Sequence, residues 1–298
     1  MKKFIVGIIC LGLIGIFISS LFGSKNNTEV ARKNIAIIKI QGPLYGMTVD
    51  SLTGRINGAD AIMNQLISAR DDASIVGVLI RMDTPGGSVT AAEEIAAEIE
   101  KLRSKGKYVV TSMGDTAASA GYWLASCTDY IFANPSTLTG SIGVYIPYMN
   151  IEELYKKIGV SQNRIKSGAF KDMLATDRPM REDERKVLQT MVDEMYDSFV
   201  KQIAKGRNLS EEKVRELADG RIYTGKQAKE LALVDELGNY YDALDFIAKK
   251  LGIEGKPYIK EYHEPFSWRN MLKMGMLNEL ADILVMGKND VIQYKGFY

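Results

Sequence analysis

Four short apolar runs punctuate the first half of the chain: IAIIKI (35–40), SIVGVLIRM (74–82), KYVVTSM (107–113) and SIGVYI (141–146). Their length, and the β-branched residues in them, read as buried strands. Between them, GADAIMNQLISAR (58–70) and AAEEIAAEIEKLRSKG (91–106) repeat apolar residues at helical spacing. The second ends in basic residues and glycine, as a helix C-terminus does. Strands alternating with helices predict an α/β fold with mostly parallel strands.

After Arg178-Pro179 the pattern changes. Residues 181–208 form one long amphipathic helical pattern, SEEKVRELADG (210–220) runs from a capping serine to a glycine, and YDALDFIAKKLG (241–252) predicts a further helix. These helices are expected to cover the sheet or to meet a partner subunit. The Met-rich stretch 267–287 suits core, a membrane surface or a subunit contact; the subunit contact is favoured. No repeat or low-complexity block is present.

The amino terminus stands apart. Met1-Lys2-Lys3 precedes an uncharged run from Phe4 to Phe22, close to the ~20 apolar residues that span a bilayer. The run is long for a secretory signal, and Ser20-Leu21-Phe22-Gly23 is a poor cleavage site. An uncleaved signal anchor is therefore expected over 1–23, followed by a polar tether (24–34), the main domain (35–252) and a C-terminal extension (253–298). The leading lysines favour a cytoplasmic amino terminus, although Lys25, Arg32 and Lys33 oppose this. The expected location is the cell membrane, with the domain extracytoplasmic.

Composition narrows the function. With 298 residues, 46% of them hydrophobic, the chain can bury a sizeable core. A formal net charge of +1, with no basic stripe, argues against nucleic acid as a partner. Cys10 and Cys127 form no CxxC pair, so neither a disulfide framework nor a zinc site is expected.

The candidate chemistry centres on DTAASAG (115–121). Ser119 follows a predicted strand and a short turn and precedes AGYWLAS, which reads as a helix. Near a helix start, free N–H groups and the positive dipole end stabilise an alkoxide or an oxyanion. Ala117, Ala118, Ala120 and Gly121 leave room for a peptide carbonyl, but close helix packing explains the same small residues equally well. The one histidine, His263, lies beside glutamates in KEYHEPF, a poor setting for a triad base. If Ser119 is a nucleophile, a lysine is the better base, as in known Ser-Lys variants.

The second stretch is DTPGGSV (83–89), again between a strand and a helix. An N–H of Gly86 or Gly87, with that of Ala120, would make an oxyanion hole, although Pro-Gly-Gly is also an ordinary turn. Both stretches fall at the carboxyl ends of predicted parallel strands, where α/β proteins place their sites.

Five motifs in order, DTPGGSV, SMGDTAASAGYWLA, ANPSTLTGSIGV, KSGAFKDM and GRIYTGKQAKELALVDELG, closely resemble the signal peptide peptidase A family (peptidase family S49) in its short, membrane-anchored bacterial form. The resemblance runs from about Ile35 to about Gly252. It implies a Clp protease/crotonase-like fold of repeated ββα units, a serine nucleophile at Ser119, a lysine base at Lys171, and Ser141 hydrogen-bonded to that lysine. One departure is Ala120, where the family motif often has glycine. The resemblance also implies signal peptides as substrates, no metal or cofactor, and a ring-like homo-oligomer whose neighbouring subunits contribute serine and lysine to one site. A crotonase-type acyl-CoA enzyme and a non-enzymatic membrane scaffold remain as alternatives.

A lysine near its reference pKa of ~10.4 is protonated at neutrality and cannot act as a base; lowering it by about three units costs roughly 4 kcal/mol. Burial supplies such a shift, and Ala169-Phe170 and Met173-Leu174 promise a dry setting for Lys171. Asp172 is expected to point away, since a facing carboxylate would oppose that shift.

Overall fold

A computed structural model of the chain describes residues 33–51, 54–56 and 58–262. The chain divides into a unit ending at Lys260 and a short one from Glu261 to Tyr298. Cys10, His263, the apolar run 4–22 and the Met-rich stretch 267–287 lie outside the described residues. No described helix is long and apolar enough to cross a membrane.

The elements run β1 (Asn34–Gln41), β2 (Val49–Ser51), β3 (Gly54–Ile56), α1 (Ala59–Asp71), β4 (Ile75–Thr84), α2 (Val89–Ser104), β5 (Tyr108–Ala118), α3 (Ala120–Ser126), β6 (Tyr130–Ala133), β7 (Leu138–Gly140) and α4 (Glu152–Lys157). They continue with α5 (Glu182–Arg207), α6 (Glu211–Leu217), β8 (Ile222–Thr224), α7 (Gly225–Glu230), β9 (Glu236–Leu237), α8 (Tyr240–Lys250) and β10 (Tyr258–Glu261). The main sheet has the order β10-β1-β4-β5-β6-β9, and β7 joins β5 to β8. The β1–β4, β4–β5, β5–β6, β5–β7 and β6–β9 pairs are parallel; β7–β8 is antiparallel. The expected mixed α/β fold with a mostly parallel sheet is what forms.

The three central strands are apolar on both faces, as a covered parallel sheet requires. Alternate residues of a strand point to opposite faces. Ile35, Ile37, Leu79, Val110 and Phe132 form one buried cluster with Ala243, Leu244, Ile247 and Ala248 of α8. Phe246 of the same helix stacks on Tyr130 with ring centroids 4.2 Å apart. Ala36, Ile38, Ile40, Val78 and Ile80, in the intervening positions, are equally buried. α1 contacts β1 and β4, and packs on α2.

Two strands differ from their sequence expectation in ways that shape the site. β5 does not stop at Met113 but continues to Ala118. The Asp83 carboxylate accepts the Thr116 N–H (3.0 Å) and so bridges the irregular register between β4 and β5. The upper part of β5 then pairs with β7, Thr116–Ala118 against Leu138–Gly140. The strand expected over 141–146 is absent: the extended backbone ends at Gly140. Ser141 takes φ 51°, a left-handed value incompatible with a strand, and its N–H donates to Arg221 O at 2.8 Å. A β-branched pattern does not show such a turn.

Candidate active site

β5 ends at Ala118 and α3 begins at Ala120, so Ser119 alone makes the corner between them. It does so at φ 54°, ψ −124°, a conformation that costs a non-glycine residue about 1–3 kcal/mol. Neighbours on both sides hold it there. Its N–H donates to Gly140 O (2.8 Å), and its carbonyl accepts from Trp123 N (3.0 Å). The partly exposed side chain makes no cap bond to its own helix. Among the described residues its hydroxyl has no hydrogen-bond partner.

The Pro-Gly-Gly turn closes on this corner. Gly86 is buried at φ +99°; a Cβ there would lie 2.8 Å from Ala118 O and from Ser119 Cβ, and 2.9 Å from Ala120 N. Only glycine lets the two turns touch. The N–H of Gly86 donates to Thr84 Oγ1 (3.1 Å), so Gly86 contributes room rather than a free donor. Gly87 is the other case. It is exposed, and Leu44 brackets it: Leu44 N–H donates to Gly86 O (2.8 Å), and Ser88 N–H to Leu44 O (2.9 Å). The Gly87 N–H itself has no acceptor among the described residues. Ala120 is the first residue of α3, and its N–H has no acceptor within the helix. Sequence reasoning kept Gly86 and Gly87 as equivalent donors; Thr84, which it did not single out, separates them.

The corner opens onto a cleft of about 470 Å³. Ser119 and Ser141 both line it, with Tyr145, Val192, Tyr196 and Asp219. The structure thus brings the two predicted serines to one cavity, through the β5–β7 pairing that sets Ala118 beside Gly140.

Lys171 does not line this cleft. It sits in a series of turns over 167–174, where its N–H donates to Gly168 O (3.2 Å) and its side chain is exposed. The dry surroundings expected for it do not form within one chain: Phe170 and Leu174 are themselves exposed. Asp172 turns to other partners. Its carboxylate binds Lys166 Nζ (2.5 Å) and Arg178 Nε (3.3 Å), and the hydrogen bond from Lys166, with that from Arg178, holds it well below the usual carboxylate range. Arg178 also grips Glu184, whose carboxylate is fully buried at the start of α5, with bonds of 2.6 and 2.9 Å. The Lys171 turn is therefore fastened to α5 through Asp172 and Arg178. Only the motif resemblance marks Lys171 in the sequence; Arg178 carries no sequence signal of this role.

Cys127 is buried at the C-terminal end of α3, and burial pushes its thiol up to about 12. That makes it inert packing rather than a reactive group.

Comparison with known proteins accords with this geometry. The pattern of peptidase family S49 matches residues 101–254, and that of Clp protease matches residues 36–138. A Synechocystis protein named as a protease is 40% identical over 223 residues, covering 75% of this chain and 76% of its own length. An Enterococcus faecium protein named as a signal peptide peptidase SppA is 39% identical over 236 residues, 77% of this chain and 69% of its own. Protease 4 of Haemophilus influenzae is 37% identical over 71% of this chain but only 34% of its own length. Identity at this level over most of both chains, on a Clp protease-like α/β domain, means that this protein belongs to peptidase family S49.

Proposed function

We propose that the protein is a membrane-anchored serine endopeptidase that degrades signal peptides left in the bilayer, with Ser119 as nucleophile and Lys171 as base. The observation that carries the reading is the Ser119 corner: among the described residues, a hydroxyl without a hydrogen-bond partner, on a residue of positive φ, beside two N–H groups without acceptors. Strain of this kind persists only where surrounding structure enforces it.

In this mechanism Ser119 Oγ attacks the scissile carbonyl while Lys171 Nζ takes the hydroxyl proton. The N–H groups of Gly87 and Ala120 bind the oxyanion that forms, and losing one such donor typically costs about 10²–10³ in kcat. Lys171 then gives its proton to the leaving amine. A water, deprotonated by the same lysine, releases the acyl group from Ser119. Ser141, on the wall of the same cleft, orients the lysine. Since Lys171 is exposed and away from the cleft of its own chain, the base acting on Ser119 is supplied by a neighbouring subunit. The relative named as a signal peptide peptidase, and the apolar run 4–22, support the substrate class and the membrane location.

Labelling with a fluorophosphonate probe tests the nucleophile. Wild type is expected to label and Ser119→Ala to fail, with casein cleavage falling by about a thousandfold or more. Undiminished labelling of Ser119→Ala would refute the assignment. Turnover of a CoA thioester that survives the substitution would favour the acyl-CoA alternative.

A further inference from the structure

A second cavity, of about 550 Å³, lies at the opposite end of the sheet from Ser119. Its walls come from the residues that lead into β1, β4 and β5, and they carry Lys33, Arg70, Lys105 and Lys107 against a single carboxylate, Asp71. That carboxylate is already committed to Arg70 (2.8 Å), and Arg70 also binds Glu98 (2.9 Å). The neighbouring Asp72 pairs with Lys260 (2.5 Å). Among the described residues no carboxylate pairs with Lys33, Lys105 or Lys107. Their ammonium groups find only carbonyls where they find partners at all: Lys33 Nζ donates to Leu251 O (3.1 Å), and Lys107 Nζ to Ala69 O (2.7 Å) and Asp72 O (2.5 Å). Lys107 is only 8% exposed. Asp71 and Asp72 lie close enough to Lys107 to act on it, and Asp71 likewise on Lys105, but four basic side chains against one lining carboxylate still leave the cleft an excess of positive charge that attracts an anion.

The cleft takes in Lys33, the first described residue after the apolar run, and that connection points to the kind of anion. Lys33 follows Phe22, the end of the apolar run, by eleven positions, and eleven extended residues reach at most about 40 Å. Lys25 and Arg32 in the intervening segment have the same sign. Basic groups next to a membrane segment are drawn to anionic headgroups within about a Debye length, ~10 Å at 0.1 M salt.

We propose that this cleft docks the phosphate of anionic lipid headgroups and so holds the base of the sheet on the membrane surface. The inference rests on the membrane-anchored reading above. It places Ser119, at the far end of the eleven-residue β5, roughly 36 Å from the docking face at ~3.3 Å per residue.

The test uses the full chain reconstituted in vesicles of phosphatidylcholine alone, or with one-third phosphatidylglycerol, read by amide hydrogen exchange. Protection of the 70–76 and 104–108 segments is expected only with phosphatidylglycerol and is expected to fade in 1 M salt, where the Debye length is ~3 Å. Lys33→Gln/Lys105→Gln, two exposed positions remote from Ser119, is expected to lose at least about tenfold of this protection while casein cleavage is unchanged. Equal protection of the variant and wild type overturns the proposal. So does equal protection in phosphatidylcholine on adding millimolar inorganic phosphate, which would make the cleft a site for small free anions. A chain that floats with both vesicle types yet shows no protection keeps the anchor and sinks the docking. A chain that floats with neither sinks both, and casein cleavage reports separately on the peptidase assignment.

Discussion

Gly86 and Ser119 impose opposite requirements on two turns that touch. Ser119 needs a side chain in a backbone conformation that disfavours one; Gly86 needs none, because a Cβ would stand 2.8 Å from Ser119 Cβ. Gly86→Ala therefore pushes on the 118–120 corner itself, and the positive φ of 99° adds strain of about 1–3 kcal/mol. The expected result is a folded protein with a thermal midpoint lowered by several degrees and fluorophosphonate labelling slowed by at least about tenfold. Unchanged labelling would show that the corner does not depend on this contact. By contrast, a Cβ at Gly87 would strike Leu44 O at 2.2 Å, away from the serine. The sequence shows that Ser119 and the two glycines stand where strands give way to helices. It does not show which N–H stays free, because that depends on a hydroxyl two residues away turning inward, Thr84 Oγ1 to Gly86 N.

The N-terminal end of α5 is an electrostatic fastening for the turn that carries Lys171. Arg178 spans Asp172 and Glu184, and Glu184 also accepts the Arg181 N–H (2.9 Å), closing the helix cap. The Arg178 guanidinium is the first cause that holds the Glu184 carboxyl down at about 2, against ~4.3 for a free glutamate. A carboxyl depressed in the folded state favours folding fully above its unfolded pKa, and that contribution is lost as pH falls through the folded value. Between about pH 4.3 and pH 2 the cap should therefore loosen. The gap in urea midpoint between wild type and Glu184→Gln should narrow as pH falls from 7 to 3; a gap constant with pH would show that ionised Glu184 contributes nothing. Strong periodicity made most of the large elements legible, as with IAIIKI in β1 and the long pattern that became α5. SIGVYI failed because its apolar residues follow a left-handed serine, and local pattern carries no information about backbone sign. The forking of β5 to pair with both β6 and β7 was equally invisible, since strand pairing depends on partners distant in sequence.

On the scale of the whole molecule, the proposed nucleophile and the proposed base stand apart in one chain. The serine cleft is built, yet Lys171 stands exposed outside it, and the segment between carries apolar side chains in water: Tyr145 is 83% exposed, Met149 66% and Ile158 60%. Exposed apolar side chains of this kind suit a contact surface; in the oligomer proposed above, such a contact would both bury Lys171 and bring it to another chain's Ser119. Desolvation of that kind is what a lysine base requires. The arrangement gives a mixing experiment a definite outcome. Ser119→Ala and Lys171→Ala homo-oligomers should each be inactive on casein, whereas subunits dissociated together and reassembled should regain activity, because some interfaces then join an intact serine to an intact lysine. Random mixing in equal parts makes one interface in four of that kind, so recovery should approach about a quarter of the wild-type rate if the sites act independently. No recovery, with hetero-oligomers verified by two affinity tags, would place serine and lysine in the same chain and require the turn at 167–174 to swing toward the cleft. Activity retained by Lys171→Ala alone would remove the lysine from the mechanism altogether.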